Sequence, residues 1–317
     1  MEIKKTILVG KYPEQIESIK NQINNGNSFL NLVNINEPCD LYLAFDLIDP
    51  AWLNNPKNKT VIKVLIRQEP KIVMPQTYKK SNIAIFNHVI DVGKPRSVNN
   101  EVLNWPQDLT IYVKSQKTKN NRIVMVNSNL LSLEFGENYS LRRKAIKGIY
   151  DLDLYGYQWN NSLSLKLRTL FIELKKVVTK KSIFKISGLR NYFNDYDNYL
   201  GEIKNKREII SCYKYCLVIE NSKSYLSEKL FDALLSGSIP IYVGPNLLDY
   251  EIPQNLYIQA NPNLIDIKLK FEEAKKIDFV DWINNLNLWL KDTKTYENWS
   301  EDLFLPKLLK IIQKFYQ

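Results

Sequence analysis

Apolar runs alternate with helical patterns along most of the chain. Residues 7–9 predict a strand. Ile16, Ile19 and Ile23 then recur at i, i+3 and i+7, the spacing of one helix face. Residues 41–45, 61–66 and 83–86 predict three more strands. A second series follows, with strands at 123–126, 215–219 and 239–243 and a helix at 141–150. Strands that alternate with helices point to parallel βαβ units, and so to an α/β fold.

The polar, basic stretch Lys114, Ser115, Gln116, Lys117, Thr118, Lys119, Asn120 and Asn121 separates the two series and predicts a connection between domains. The expected division is a first domain at 1–116, a second at 117–300 and a terminal helix at 301–317. That helix carries Leu308, Leu309, Ile311, Ile312 and Phe315 on one side and Lys307, Lys310 and Lys314 on the other. Two placements are open for it: packed on the first domain, or laid on a membrane surface through its basic stripe. Its ordinary apolar side favours packing.

Hydrophobic residues make up 44% of the 317, enough to build real cores. The net charge of +10 suits anionic partners: nucleic acid, anionic membrane or phosphorylated small molecules. The lysines are interleaved with Asp, Glu and Asn, and the 19 tyrosines are dispersed, so no basic stripe with stacked aromatics marks a nucleic-acid binder. Cys39, Cys212 and Cys216 show no disulfide-like spacing, which suggests a reducing compartment. The lone histidine, His88, and the lack of a Cys-x-x-Cys argue against a zinc site. The apolar run ending at Gly10 is too short for a signal core, and no stretch approaches ~20 apolar residues, so a soluble, cytoplasmic protein is expected.

Residues 213–245 carry the most specific pattern. A strand ends in Glu220, Asn221 and Ser222. A helix burying Leu226, Leu230, Ala233 and Leu234 follows, Gly237 sits at its C-terminal end, and Pro240 opens the next strand. Ser224 or Ser227 can cap the helix start, which places Tyr225, Glu228 and Lys229 in or beside the first turn. Unpaired N–H groups, the helix dipole and Lys229 together would welcome a diphosphate without a metal. Glu228 could accept hydrogen bonds from sugar hydroxyls.

This segment is similar to the donor-site signature of the α-1,3/4-fucosyltransferases, glycosyltransferase family 10. Tyr213, Lys214, Tyr215, Glu220, Asn221, Ser222, Tyr225, Ser227, Glu228, Lys229, Pro240 and Gly244 fall on that pattern. The turn between Asn221 and Tyr225 is shorter than in the animal members, which bears on the identity of the donor sugar. Elsewhere the resemblance is thinner. Glu69, before Pro70, falls where the family has its base. His88 lies in a segment resembling a strand end and would orient the acceptor. Asn127, Ser128 and Asn129 with the downstream Arg142 and Arg143 resemble a Ser-Asn stretch with its Arg. Asp153, Leu154, Tyr155 and Gly156 resemble an Asp-x-Tyr-Gly strand end, where Gly156 would let the backbone approach the nucleotide. Asp197 falls near an Arg that reaches the phosphates in some members, and Lys206 or Arg207 is the substitute this sequence offers.

The resemblance implies two Rossmann-like domains facing across a cleft, the GT-B type. It implies an inverting transfer of L-fucose from GDP-fucose to the 3- or 4-hydroxyl of N-acetylglucosamine in a glycan. Glu69 would be the base. Arg142, Tyr155, Gly156, Lys206, Asn221, Ser222, Tyr225, Glu228 and Lys229 would bind the donor, and no metal cofactor would be needed. One rival is a metal-dependent glycosyltransferase with another nucleotide sugar, using Asp151 and Asp153 or Asp195 and Asp197 as an Asp-x-Asp pair. A second rival is a non-enzymatic binder of nucleic acid or acidic glycan.

Overall fold

The computed structural model describes residues 3–26, 28–95, 101–112, 119–180 and 186–316. The chain forms two compact units, Met1–Pro106 with Trp299–Gln317, and Gln107–Asn298. Of the basic stretch read as a connection, residues 114–118 lie outside the described residues.

In the first unit the elements are β1 (Lys4–Gly10), α1 (Pro13–Asn25), β2 (Leu30–Leu32), β3 (Leu41–Phe45), α2 (Pro50–Leu53), β4 (Ile62–Arg67), α3 (Lys80–Ile83), β5 (His88–Val92) and β6 (Glu101–Leu103). They form a parallel sheet in the order β2-β1-β3-β4-β5-β6. β3 is buried throughout because both faces of the sheet are covered, which is why its sequence reads as an unbroken apolar run. Alternate residues serve the two faces. Leu41, Leu43 and Phe45 join Val64, Ile66, Ile90 and the Ile16–Ile19–Ile23 stripe of α1. Tyr42 and Ala44 join Ile7, Leu65 and Phe86 on the other side.

The strand expected at 83–86 is a correction. Ile83 ends α3, a turn follows, and the strand begins at His88. A short apolar run without flanking signals reads equally well as strand or helix end.

The second unit contains β7 (Asn120–Val126), α4 (Tyr139–Gly148), β8 (Leu152–Tyr155), α5 (Leu163–Lys180), α6 (Lys206–Ile210), β9 (Tyr213–Ile219), α7 (Lys229–Leu235), β10 (Ile239–Val243), β11 (Ile258–Gln259), α8 (Leu264–Ala274), α9 (Phe279–Lys291) and α10 (Thr293–Trp299). Its sheet is also parallel, in the order β11-β10-β9-β7-β8. β9 is the middle strand, so the loop that leaves it emerges at the centre of the carboxyl edge. Ligands of open α/β sheets bind at that edge.

The terminal helix α11 (Phe304–Lys314) belongs to the first unit. Leu305, Leu308, Ile311 and Ile312 are buried in the core that faces α1, and Lys314 pairs with Glu101 at 3.2 Å. Among the described residues no helix is long and apolar enough to cross a membrane.

Candidate active site

In the second unit the site begins where β9 ends. Arg142, buried on α4, donates through Nε and NH2 to the carbonyl oxygen of Ile219 at 3.1 and 2.5 Å, and through NH2 to Oδ1 of Asn221 at 2.8 Å. Asn138 N–H donates to the carbonyl oxygen of Asn221 at 3.1 Å, and Ser222 bridges to Glu137. The first residues beyond the strand are thus tied to the start of α4.

Glu220 is fully buried. It accepts from the N–H of Ser227 at 2.9 Å and from its hydroxyl at 2.7 Å, so a carboxylate closes the loop between them. Burial pushes the Glu220 carboxyl up, against the pull of Lys229 and of the Ser227 bonds. The helix starts later than its apolar spacing suggests. α7 begins at Lys229, with Glu228 at its N-cap. A carboxylate therefore stands at the helix entrance, and the positive charge of the site comes from lysine side chains.

Those lysines form a chain of ion pairs with acids. Lys229 Nζ lies 2.9 Å from Ser227 Oγ, 3.6 Å from Glu228 Oε1 and 3.8 Å from Glu220 Oε2. Lys206 Nζ, at the start of α6, lies 3.1 Å from Glu228 Oε1 and 3.5 Å from Asp232 Oδ2. Arg207 reaches Asp232 at 3.3 Å. Burial opposes ionisation of Glu228, but Lys229 and Lys206 outweigh it and hold the carboxyl down at about 2. Burial likewise opposes the charge of Lys206, and Glu228 and Asp232 raise its proton affinity above the ordinary value.

Lys206, Lys229, Asp232 and Asn127 line one small pocket at this edge. Beside it lies an open depression of about 500 Å³, bordered by Lys204, Lys206, Arg207, Tyr112 and Glu228. Asn127 Oδ1 is buried without a hydrogen-bond partner. Such an acceptor is costly unless a donor arrives from water or a ligand.

Three further residues expected at the donor have other employment. The Tyr155 hydroxyl lies 3.4 Å from that of Tyr213, which donates to Asp153 at 2.9 Å. Tyr225 is buried. Gly156 has φ +128°, and a Cβ there would lie 2.1 Å from the Asn127 carbonyl oxygen. Its missing side chain admits the neighbouring strand end rather than a ligand. The Asp-x-Asp candidates also have partners: Asp151 and Asp153 meet Arg122, and Asp195 lies 3.7 Å from Lys166.

In the first unit Glu69 follows β4 at the carboxyl edge. Its Oε1 accepts from the Tyr12 hydroxyl at 2.5 Å, and its carbonyl oxygen accepts from the Tyr78 hydroxyl at 2.8 Å. Tyr78 lies under the cations of Arg67 and Lys94, both paired with buried Asp91. Asp46, at the end of β3, accepts from the N–H groups of Gln68 and Glu69. His88 is not part of this group. It opens β5 opposite Val64, at the far end of the strand pair from Glu69, and stacks on Phe315 with ring centres 3.6 Å apart. Burial lowers its proton affinity. Its ring packs against the segment that follows α11.

Sequence reasoning missed Asp46, Tyr12 and Asp232. Asp46 directly follows an apolar strand, the signal that singled out Asn221. Asp232 lies four residues beyond Glu228 and three beyond Lys229, the spacing of one helix face. Nothing local marked Tyr12.

Residues 174–314 match the model of the glycosyltransferase family 10 (fucosyltransferase) C-terminal domain. The family 10 match takes in α6, β9, α7 and β10, and with them Lys206, Asn221, Glu228 and Lys229. Among relatives, the chain is 36% identical over 134 residues to the 4-galactosyl-N-acetylglucosaminide 3-alpha-L-fucosyltransferase 9 of Cricetulus griseus, covering 41% of this chain and 34% of that protein. It is 50% identical over 50 residues to an alpha-(1,4)-fucosyltransferase of Arabidopsis thaliana, covering 15% and 12%. The chain thus aligns with about a third of the length of the first of these and less of the second. Among solved structures it is similar to an alpha1,3-fucosyltransferase (TM-score 0.52, 15% identity, 98% of this chain and 89% of that one). It is also similar to Anabaena HepE in complex with UDP (TM-score 0.58, 11% identity, 99% and 100%). These likenesses give the fold class as GT-B.

Proposed function

We propose that this chain is an inverting fucosyltransferase that moves L-fucose from GDP-fucose to the 3- or 4-hydroxyl of N-acetylglucosamine in a glycan. One observation carries the reading: within the family 10 domain, Lys206 and Lys229 converge on Glu228 at the carboxyl edge of the sheet. Two ammonium groups that share one carboxylate are poised to exchange it for a diphosphate, whose oxygens offer more charge and more acceptors. Asn221 and the unpartnered Asn127 Oδ1 add polar groups for the nucleoside or sugar.

In this scheme the acceptor hydroxyl attacks the anomeric carbon from the side opposite the diphosphate. The bond from that carbon to the phosphate oxygen breaks, and GDP leaves with the electron pair. Glu69 takes the hydroxyl proton as general base, with Tyr12 fixing one of its oxygens. Lys229 and Lys206 stabilise the charge that grows on GDP. The scheme assigns no step to a metal.

The test is calorimetric titration with GDP and GDP-fucose in EDTA, with UDP and UDP-sugars as controls. Micromolar GDP binding in EDTA, followed by fucose transfer to an N-acetylglucosamine acceptor, is the expected result. UDP binding in place of GDP would move the assignment to another donor. Turnover lost in EDTA and restored by Mn²⁺ would overturn the metal-free scheme.

A further inference from the structure

One buried carboxyl at the carboxyl edge of the first unit has no part in the scheme above. Asp46 leaves β3 fully buried, with a left-handed φ of 51°. A non-glycine residue keeps such a backbone only where its surroundings determine it. Here they do. Its N–H donates to the carbonyl oxygen of Ile66 at 3.0 Å. Its carboxylate accepts the N–H of Gln68 at 3.1 and 3.2 Å and that of Glu69 at 3.1 Å. β3 and β4 run in parallel register, Phe45 opposite Ile66, so the turn at Asp46 carries its carboxylate to the first residues that leave β4.

Every polar backbone group of Glu69 is thereby engaged from within the unit. Its N–H goes to Asp46 and its carbonyl to Tyr78, and Pro70 restricts the backbone beyond it. The charged and titratable groups that face Asp46 are Glu69, Lys11, Tyr78 and Lys94. Burial outweighs Lys11 and the two backbone donors and pushes the Asp46 carboxyl up to about 7.

The geometry points to Asp46 as the positioning residue of Glu69: its carboxylate fixes the backbone that carries the base. This inference rests on the reading of Glu69 as general base. Below neutrality Asp46 is protonated and only holds the loop. Above it the charge appears, and the carboxylate accepts the N–H groups of Gln68 and Glu69 more strongly.

The experiment compares Asp46→Asn, Asp46→Ala and Glu69→Gln in kcat and KM across pH about 5.5 to 9, with GDP calorimetry on each to show that the second unit is intact. Asp46→Ala is expected to lower kcat by roughly 10- to 100-fold with the GDP Kd unchanged, the scale of a small misplacement of a catalytic group. Asp46→Asn keeps one acceptor oxygen and never ionises. It is expected to retain most of kcat below pH about 7 and to lack the rise in kcat/KM that the wild type shows as the pH passes that value. An Asp46→Asn enzyme with the wild-type profile at every pH, beside an inactive Glu69→Gln, would overturn the role of Asp46 and leave the base in place. A Glu69→Gln enzyme with wild-type turnover would remove the base, and this inference with it.

Discussion

Arg142 and Asn221 meet at 2.8 Å, guanidinium to Oδ1, while the same guanidinium grips the carbonyl oxygen of Ile219. The contact joins residues 79 apart in the chain and fixes the point where the chain leaves β9. Arg142→Ala leaves a buried carbonyl without its donors and opens a cavity. A loss of about 3 kcal/mol or more in urea unfolding is expected. Arg142→Lys should recover only part of it, because an ammonium cannot span both acceptors. Unchanged stability in Arg142→Ala would show that the loop is held by other means.

The ion pairs around Glu228 predict how GDP binding responds to substitution. Lys229→Ala removes the proposed donor to the diphosphate and should raise the GDP Kd about tenfold or more, the scale of one charge-assisted hydrogen bond. Lys206→Ala should act in the same direction and leave Glu228 less neutralised, so its effect should grow as salt is lowered. Calorimetry at two ionic strengths checks both. A GDP Kd at the wild-type value in both variants would place the diphosphate elsewhere.

Glu69→Gln keeps the shape of the side chain and removes its basicity. Turnover should fall by about 10²- to 10⁴-fold, the usual contribution of a general base, while the GDP Kd stays at the wild-type value. The two constants are read from a transferase assay and from calorimetry on the same preparation.

Glu228 also sets a pH dependence of stability. Its folded carboxyl is held at about 2 against an ordinary 4.5, so the unfolded chain takes up the proton first as the solution is acidified. The contribution of Glu228 is fully present above pH about 4.5 and fades as pH falls through the window toward about 2. Acid titration monitored by circular dichroism should show Glu228→Gln losing less stability than the wild type over that interval. Parallel acid limbs in the two proteins would mean that the lysines do not hold this carboxylate in solution.

What the sequence determined by itself was the part of the molecule written in short periods. β3 and β10 were legible residue for residue, since strands buried on both faces must be continuously apolar. Asn221, Glu228 and Lys229 could be singled out together because one strand, one loop and one helix carry them all. The run at 83–86 was misread because a few apolar residues do not distinguish a helix end from a strand. The tertiary structure alone decided what each polar group touches. It gave Arg142, read as a donor-binding residue, a grip on the Ile219 carbonyl, and it set His88 apart from Glu69, stacked at the other end of the strand. It also brought Asp46 under the Glu69 backbone across 23 residues of chain. Periodicity records which side of an element is buried. The partners of a buried polar side chain are chosen by strand register and helix packing, which join residues that no local pattern connects.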